Sequence, residues 1–261
     1  MPISSSRLAV VTGAGRGIGR RIAEKLAFDQ WIVALVDQVN PAETLQSILD
    51  EGGKAVAFRC DVSDERDVAQ LATAVGKQLG DVDALVNNAG ISLISPAEDT
   101  TAQQWRRVLE VNLTGPFLIC RAFAKPMLRR RRGNIVNVAS ICGLRAVPDR
   151  IAYNASKHGL IGLTDTLAVE WGGRGVRANA VCPSWVATEM DVEDKLSGAY
   201  TDTDITERVP LARFASPNDV AEAVSFLADD ERSGYINGTS ISVDGGWHAD
   251  ASWNALRLAK R

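Results

Sequence analysis

The chain has 261 residues, 46% hydrophobic and 23% charged, with a net charge of -3. This composition describes a globular protein and excludes fibrous and disordered classes. The near-balanced charge offers no broad basic surface for nucleic acid. No apolar run reaches the roughly 18 residues of a membrane span, so the expected setting is cytoplasmic, with neither membrane nor nucleic acid as partner.

Four dispersed cysteines, Cys60, Cys120, Cys142 and Cys182, show no CxxC pairing and read as reduced thiols. With only His158 and His248 in the chain, neither a zinc site nor a Ser-His-Asp triad is expected, and no metal is assigned. The N-terminal apolar run "LAVV" is too short for a signal peptide and leads into glycines.

Short β-branched apolar runs recur at 8–13, 31–37, 55–62, 83–90, 133–140, 176–183 and 239–246. Helix-length polar-apolar segments separate most of them, as at 18–30 and 65–80. Near-continuous apolar strands alternating with helices indicate a parallel sheet covered on both faces. The expected fold is α/β: one Rossmann-type doubly wound domain over 1–261, with about seven parallel strands. The region 189–212 is polar and lacks a strand, so it reads as a lid or a pair of small helices over a site. The tail 247–261 carries two tryptophans and several leucines and is expected to order against a neighbouring subunit or over a pocket.

The first strand runs into "TGAGRGIG" at 12–19. Its glycines allow a tight turn and close approach to a pyrophosphate, which the next helix meets with free N–H groups and a positive dipole end. The second strand ends at Asp37. A carboxylate there accepts hydrogen bonds from a ribose and repels a 2′-phosphate, favouring NAD over NADP. Arg16 competes, since a guanidinium can hold a phosphate or merely be a solvated loop charge. Asp61, followed by Val62, is either a helix cap or an adenine contact. "NNAG" at 87–90 is either a plain turn or a place where small residues admit a flat ring.

Ser140 ends the fifth strand and is either structural or a donor to a substrate oxygen. Tyr153 and Lys157 stand at i and i+4, on one helix face. An ammonium beside a phenol favours the phenolate and lowers its pKa. The pair is common by chance and gains meaning from the glycine loop, Asp37 and Ser140 that precede it.

Together these residues resemble the short-chain dehydrogenase/reductases. The matching stretches are the "TGxxxGxG" loop, "DV" at 61–62, "NNAG", Asn112 in "LEVNLTGPF", Ser140 and "YNASK" at 153–157. The resemblance runs from about residue 6 to residue 246. It implies that Tyr153 is the general acid/base and that Lys157 lowers its pKa and holds the nicotinamide ribose. Ser140 orients the substrate oxygen and Asn112 anchors a relay water. It further implies that Gly13, Gly15, Arg16, Gly17, Ile18 and Gly19 hold the pyrophosphate. Asn88, Ala89, Gly90, Pro183, Val186 and Thr188 would line the rest of the cofactor groove, and a homotetramer is expected. One departure stands out: Pro183-Ser184 replaces the family's Pro-Gly.

The substrate pocket is expected to draw on Ser140, Cys142, Arg145, Arg150, Trp185, Met190 and parts of 191–207. The two arginines either favour a polar or anionic substrate or are solvated. The run Arg129–Arg132 reads as a helix end, where cations complement the dipole, or as an acyl-carrier or nucleic-acid patch. The expected activity is NAD-dependent interconversion of a secondary alcohol (polyol, sugar or cyclic alcohol) and its ketone or lactone. An NADPH-dependent 3-oxoacyl thioester reductase is the alternative, and a non-catalytic nucleotide sensor is a distant one.

Overall fold

A computed structural model describes residues 7–252 apart from 196, 197 and 199. The first half alternates β1 (Leu8–Thr12), α1 (Gly17–Phe28), β2 (Ile32–Asp37), α2 (Ala42–Asp50), β3 (Lys54–Arg59), α3 (Glu65–Gln78) and β4 (Ala84–Asn87). Next come α4 (Ala102–Leu109), a π-helical turn (Glu110–Thr114), α5 (Gly115–Arg130), β5 (Gly133–Val138), α6 (Ile151–Gly172) and β6 (Val176–Pro183). The chain closes with α7 (Glu189–Lys195), α8 (Asp202–Arg208), α9 (Pro217–Ala228), a short turn of helix, and β7 (Ser240–Val243).

All seven strands pair in parallel in the order β3-β2-β1-β4-β5-β6-β7. The order reverses between β1 and β4, which opens a crevice at the carboxyl edge there. Every residue of β1, β4, β5 and β6 is buried, as expected where helices cover both faces. On one face α1 packs against α9, joining Ile22, Ala23 and Leu26 to Val220, Val224 and Leu227. On the other, α3 and α5 bury Val68, Leu71, Ile119 and Met127 with Val10, Leu85 and Ile135. Each fully buried aliphatic side chain contributes about 1.5–3 kcal/mol.

The strands end earlier than the apolar runs suggest. β4 stops at Asn87 and β5 at Val138, so Asn88–Gly90 and Ser140 lie beyond the strands, with Ala139 N–H still donating to Val181 O at 2.8 Å. The region 189–212 forms the two short helices α7 and α8. The latter is capped by Thr201 and Asp204, each satisfying the other's backbone N–H.

Three arginines of the run, Arg130 to Arg132, make structural contacts, while Arg129 is exposed. Arg130 donates to Val82 O at 2.6 Å and meets Asp83 at 3.3 Å. Arg131 closes the helix in the left-handed region and donates to Gly173 O at 2.8 Å, and Arg132 lies 3.4 Å from Asp83. No described helix is long and apolar enough to cross a membrane.

Candidate active site

The glycine loop is built so tightly that only glycine fits at two of its positions. A Cβ on Gly19 would stand 1.9 Å from Gly13 O, and Gly13 itself has φ of +66° with Ala89 Cα 2.9 Å from its would-be Cβ. Asn88 locks this approach: its Nδ2 donates to Thr12 O at 3.0 Å and to Gly13 O at 3.2 Å. Thr12 Oγ1 in turn accepts the N–H groups of Asn88 and Ala89 at 3.0 and 3.1 Å. The bare backbone and the N-terminus of α1 thus face the crevice, as a pyrophosphate requires.

A cavity of about 820 Å³ runs from this loop along the sheet edge to the lid helices. At one end stands Asp37, whose Oδ2 accepts Gly15 N–H at 2.9 Å while Oδ1 accepts Val39 N–H at 3.2 Å. Asp61 lines the same end. It is not the cap of α3, which is Asp64. Instead it accepts the N–H and hydroxyl of Ser63 at 2.9 and 2.6 Å and the Gln38 amide at 3.1 Å. Burial acts to raise the Asp61 carboxyl, but the Ser63 hydrogen bonds and Arg107 outweigh it and hold it low. Arg107, 3.7 Å from Asp61, also lines the wall. No motif marked it, because only folding brings the Arg107 side chain from α4 to the loop after β3, where it meets Asp61 and Ser63.

At the other end the chain gathers Ser140, Tyr153 and Lys157. Ser140 sits in extended backbone just past β5, and its Oγ accepts Cys142 N–H at 3.1 Å, which starts a single 3-10 turn. Tyr153 and Lys157 occupy the first turns of α6. Lys157 is 4% exposed, and its Nζ donates to Val138 O at 2.8 Å and lies 5.6 Å from the centre of the Tyr153 ring. Burial lowers this ammonium to about 8.

The phenol departs from expectation. Burial raises Tyr153 above its ordinary value, Cys142 adds to the rise, and the Ser140 hydrogen bond and Arg150 pull against it without prevailing. Lys157 is itself drawn toward neutrality and committed to a carbonyl, so in the protein alone desolvation wins over the ammonium.

Asn112 lies in the π-helical turn and is fully buried. Its Oδ1 accepts Ile91 N–H at 2.9 Å, and its Nδ2 donates to Ile91 O at 3.0 Å and to Ser156 Oγ at 3.2 Å. It stands behind the wall and ties the irregular segment after "NNAG" to α6. Asn87 bridges inward to Asn137 Oδ1 at 2.8 Å, so the two asparagines of the motif serve opposite directions.

The glycine-loop residues, Val62, Asn88, Ala89, Gly90, Pro183, Val186 and Thr188 all line the cavity. Ser184 sits at its wall beside Pro183, and its N–H donates to Val243 O at 3.1 Å, so the strand-end backbone stays in register without glycine. Cys142, Arg150, Trp185 and Met190 line the substrate end. Arg145 does not: it is exposed and donates to the neighbouring Leu144 O at 3.1 Å. The chain turns out to solvent after the 3-10 turn and returns only at Arg150, which explains why one arginine reaches the cavity and the other misses it.

Within the expected stretch 191–207 the residues that line this end are Asp191, Asp194 and Tyr200, and Ser92, which no motif marked, joins them. Trp185 packs against Trp247 at 5.6 Å between ring centres, and Arg208 of α8 covers Trp247 at 4.8 Å and meets Asp250 at 3.1 Å. The start of the tail therefore packs over the cavity rim. The rest of it, 253–261, lies outside the described residues.

The cradle of glycines, the carboxylate at the end of β2 and the polar cluster at the start of α6 fit an extended dinucleotide with its reactive ring beside Tyr153. The comparisons agree with this geometry. Residues 13–248 match the family described as enoyl-(acyl carrier protein) reductase. The D-threitol dehydrogenase of Mycolicibacterium smegmatis is 41% identical over 243 residues, covering 92% of each chain. The 3-oxoacyl-[acyl-carrier-protein] reductase of Synechocystis sp. is 36% identical over 249 residues, covering 94% of this chain and 98% of the other. A Beutenbergia cavernae crystal structure, named as a candidate NAD(P)-dependent gluconate 5-dehydrogenase with NADP at low occupancy, superposes with a TM-score of 0.89. It is 39% identical, covering 96% of this chain and all of that one.

Proposed function

The chain belongs to the short-chain dehydrogenase/reductase family, an oxidoreductase acting on CH–OH groups with a nicotinamide cofactor, and from that premise we propose that it uses NAD to interconvert a polyol, sugar or cyclic secondary alcohol and its ketone or lactone. The observation that carries this reading is the meeting of Ser140, Tyr153 and Lys157 at the far end of a cavity whose near end is guarded by Asp37.

A bound nicotinamide supplies the hydride acceptor in oxidation and the donor in reduction. Tyr153 takes the hydroxyl proton of the alcohol on its phenolate oxygen, or returns it to the ketone oxygen in the reverse direction. Ser140 donates to the substrate oxygen, where negative charge develops. Lys157 would hold the ribose of a bound cofactor, and its charge opposes the burial that keeps the phenol protonated. Asn112 fixes the backbone at Ile91 and the start of α6, and through them the position of Tyr153. The family likeness would add a proton-relay water anchored by Asn112.

Asp37 supports NAD, because a 2′-phosphate at the end of β2 would meet a carboxylate already bound to the glycine loop. Arg16 and the relatives that reduce 3-oxoacyl thioesters or carry NADP support the alternative, an NADPH-dependent reductase. The threitol enzyme supports a polyol substrate. Four free, buried thiols suit a cytoplasmic setting. A homotetramer through the outer faces of α5 and α6 is in keeping with the exposure of Phe117 and Val169 there.

The test is absorbance of the reduced cofactor with NAD and NADP in parallel, against polyols, sugars, cyclic alcohols and 3-hydroxyacyl thioesters. Turnover with NAD on a polyol or sugar, cut about 10²–10⁴-fold in Tyr153→Phe, is the expected result. Preference for NADP and thioesters would replace this reading with the reductase.

A further inference from the structure

We propose that Asp194 is a charge-selecting residue of the substrate pocket: by neutralising Arg150 it fits the pocket to an uncharged polyhydroxylated substrate and turns away carboxylates and phosphates. The proposal rests on the oxidoreductase reading above and deepens it by naming the substrate's charge.

Three features of the pocket lead here. Arg150 precedes α6 by one residue, and its side chain is only 10% exposed. It faces Asp194 of the lid helix α7 at 2.9 Å, and Asp194 is 16% exposed. Ser92 closes a triangle, accepting from Arg150 at 2.7 Å and donating to Asp194 at 3.1 Å. A second carboxylate, Asp191, is buried on the same helix and accepts the Tyr200 hydroxyl at 3.0 Å. Arg150 and Asp194 line the same cavity as Tyr153 and Ser140, so the pair faces the space where a substrate would lie.

An arginine alone in such a pocket would recruit an anion by bidentate contact. Here its charge is spent on Asp194. A substrate carboxylate would have to compete with Asp194 for the guanidinium and open a desolvated ion pair, which is costly in a buried setting. Neutral hydroxyls face no such exchange. They can donate to Asp194 and Asp191 and accept from a free N–H of Arg150 without breaking the pair. Discrimination of about tenfold or more follows from the cost of opening one desolvated ion pair.

The experiment compares neutral four- to six-carbon polyols with aldonates of equal length, using wild type and Asp194→Asn, which keeps the shape and removes the charge. Two readouts are taken: kcat/KM with NAD, and calorimetric binding of each compound to the enzyme loaded with NADH, which needs no turnover. Wild type should bind and turn over the polyols at least about tenfold better. Asp194→Asn should gain about tenfold or more on the aldonates, through KM rather than kcat, with its NADH affinity unchanged.

A wild type that handles aldonates as well as polyols, or binds neither, overturns the proposal even if the variant does not fold. So does a variant that shows no gain. Failure of the underlying reading looks different: polyol binding with the expected charge preference, but no reduced cofactor formed from any substrate.

Discussion

Replacing Lys157 by methionine should abolish turnover and yet stabilise the protein at neutral pH. Burial holds this lysine at about 8, against 10.5 for an ordinary lysine. Below pH 8 it is charged in both folded and unfolded chains, and the folded state carries the full desolvation cost, about 3 kcal/mol. Between 8 and 10.5 the unfolded chain binds more protons than the folded one, so stability rises with pH through that window and the cost disappears above it. At pH 9.5 about 1 kcal/mol of it remains.

Methionine fills the same channel with an apolar chain but leaves Val138 O without the bond it accepts at 2.8 Å, a loss of about 1 kcal/mol. The net gain is therefore about 2 kcal/mol at pH 7 and close to zero at pH 9.5. Urea denaturation of both proteins at matched concentration, at the two pH values, measures it. A variant less stable than wild type at pH 7, or one with the same gain at both pH values, would show that desolvation is not what depresses this lysine. Such a gain on removing a catalytic group is the expected trade between stability and activity.

Two further outcomes follow from the cofactor groove. Gly19→Ala should cost about 1–3 kcal/mol of stability and weaken dinucleotide binding, since its Cβ would stand 1.9 Å from Gly13 O. Gly76→Ala in α3, where a Cβ meets nothing within 4 Å, should instead stabilise by about 1 kcal/mol, and fluorescence titration with NADH separates the two. Asp37→Ser should shift the NADP-to-NAD ratio of kcat/KM upward by about tenfold or more, by removing the like charge. An unchanged ratio would mean that Arg16 or Gln38, and not the carboxylate, sets the preference.

The strands alternate with helices and each is nearly continuous in apolar residues, so local hydrophobic pattern alone dictates a covered parallel sheet. The glycine loop, Asp37 and the Tyr153–Lys157 pair lie within short segments whose geometry is set by a turn or by helical spacing, and these too are legible in the sequence. Folding decides what distant segments do to one another.

Asn112 reads as a water anchor in the chain and is found buried, spending its amide on Ile91 and Ser156. Arg145 and Arg150 look alike in sequence, and only the path of the loop sends one to solvent and the other to the cavity. The pairing of Arg150 with Asp194 joins residues 44 positions apart, and the sign of the Tyr153 shift depends on how much water the surrounding walls exclude. Charge balance and desolvation are sums over neighbours in space, so no stretch of sequence contains them.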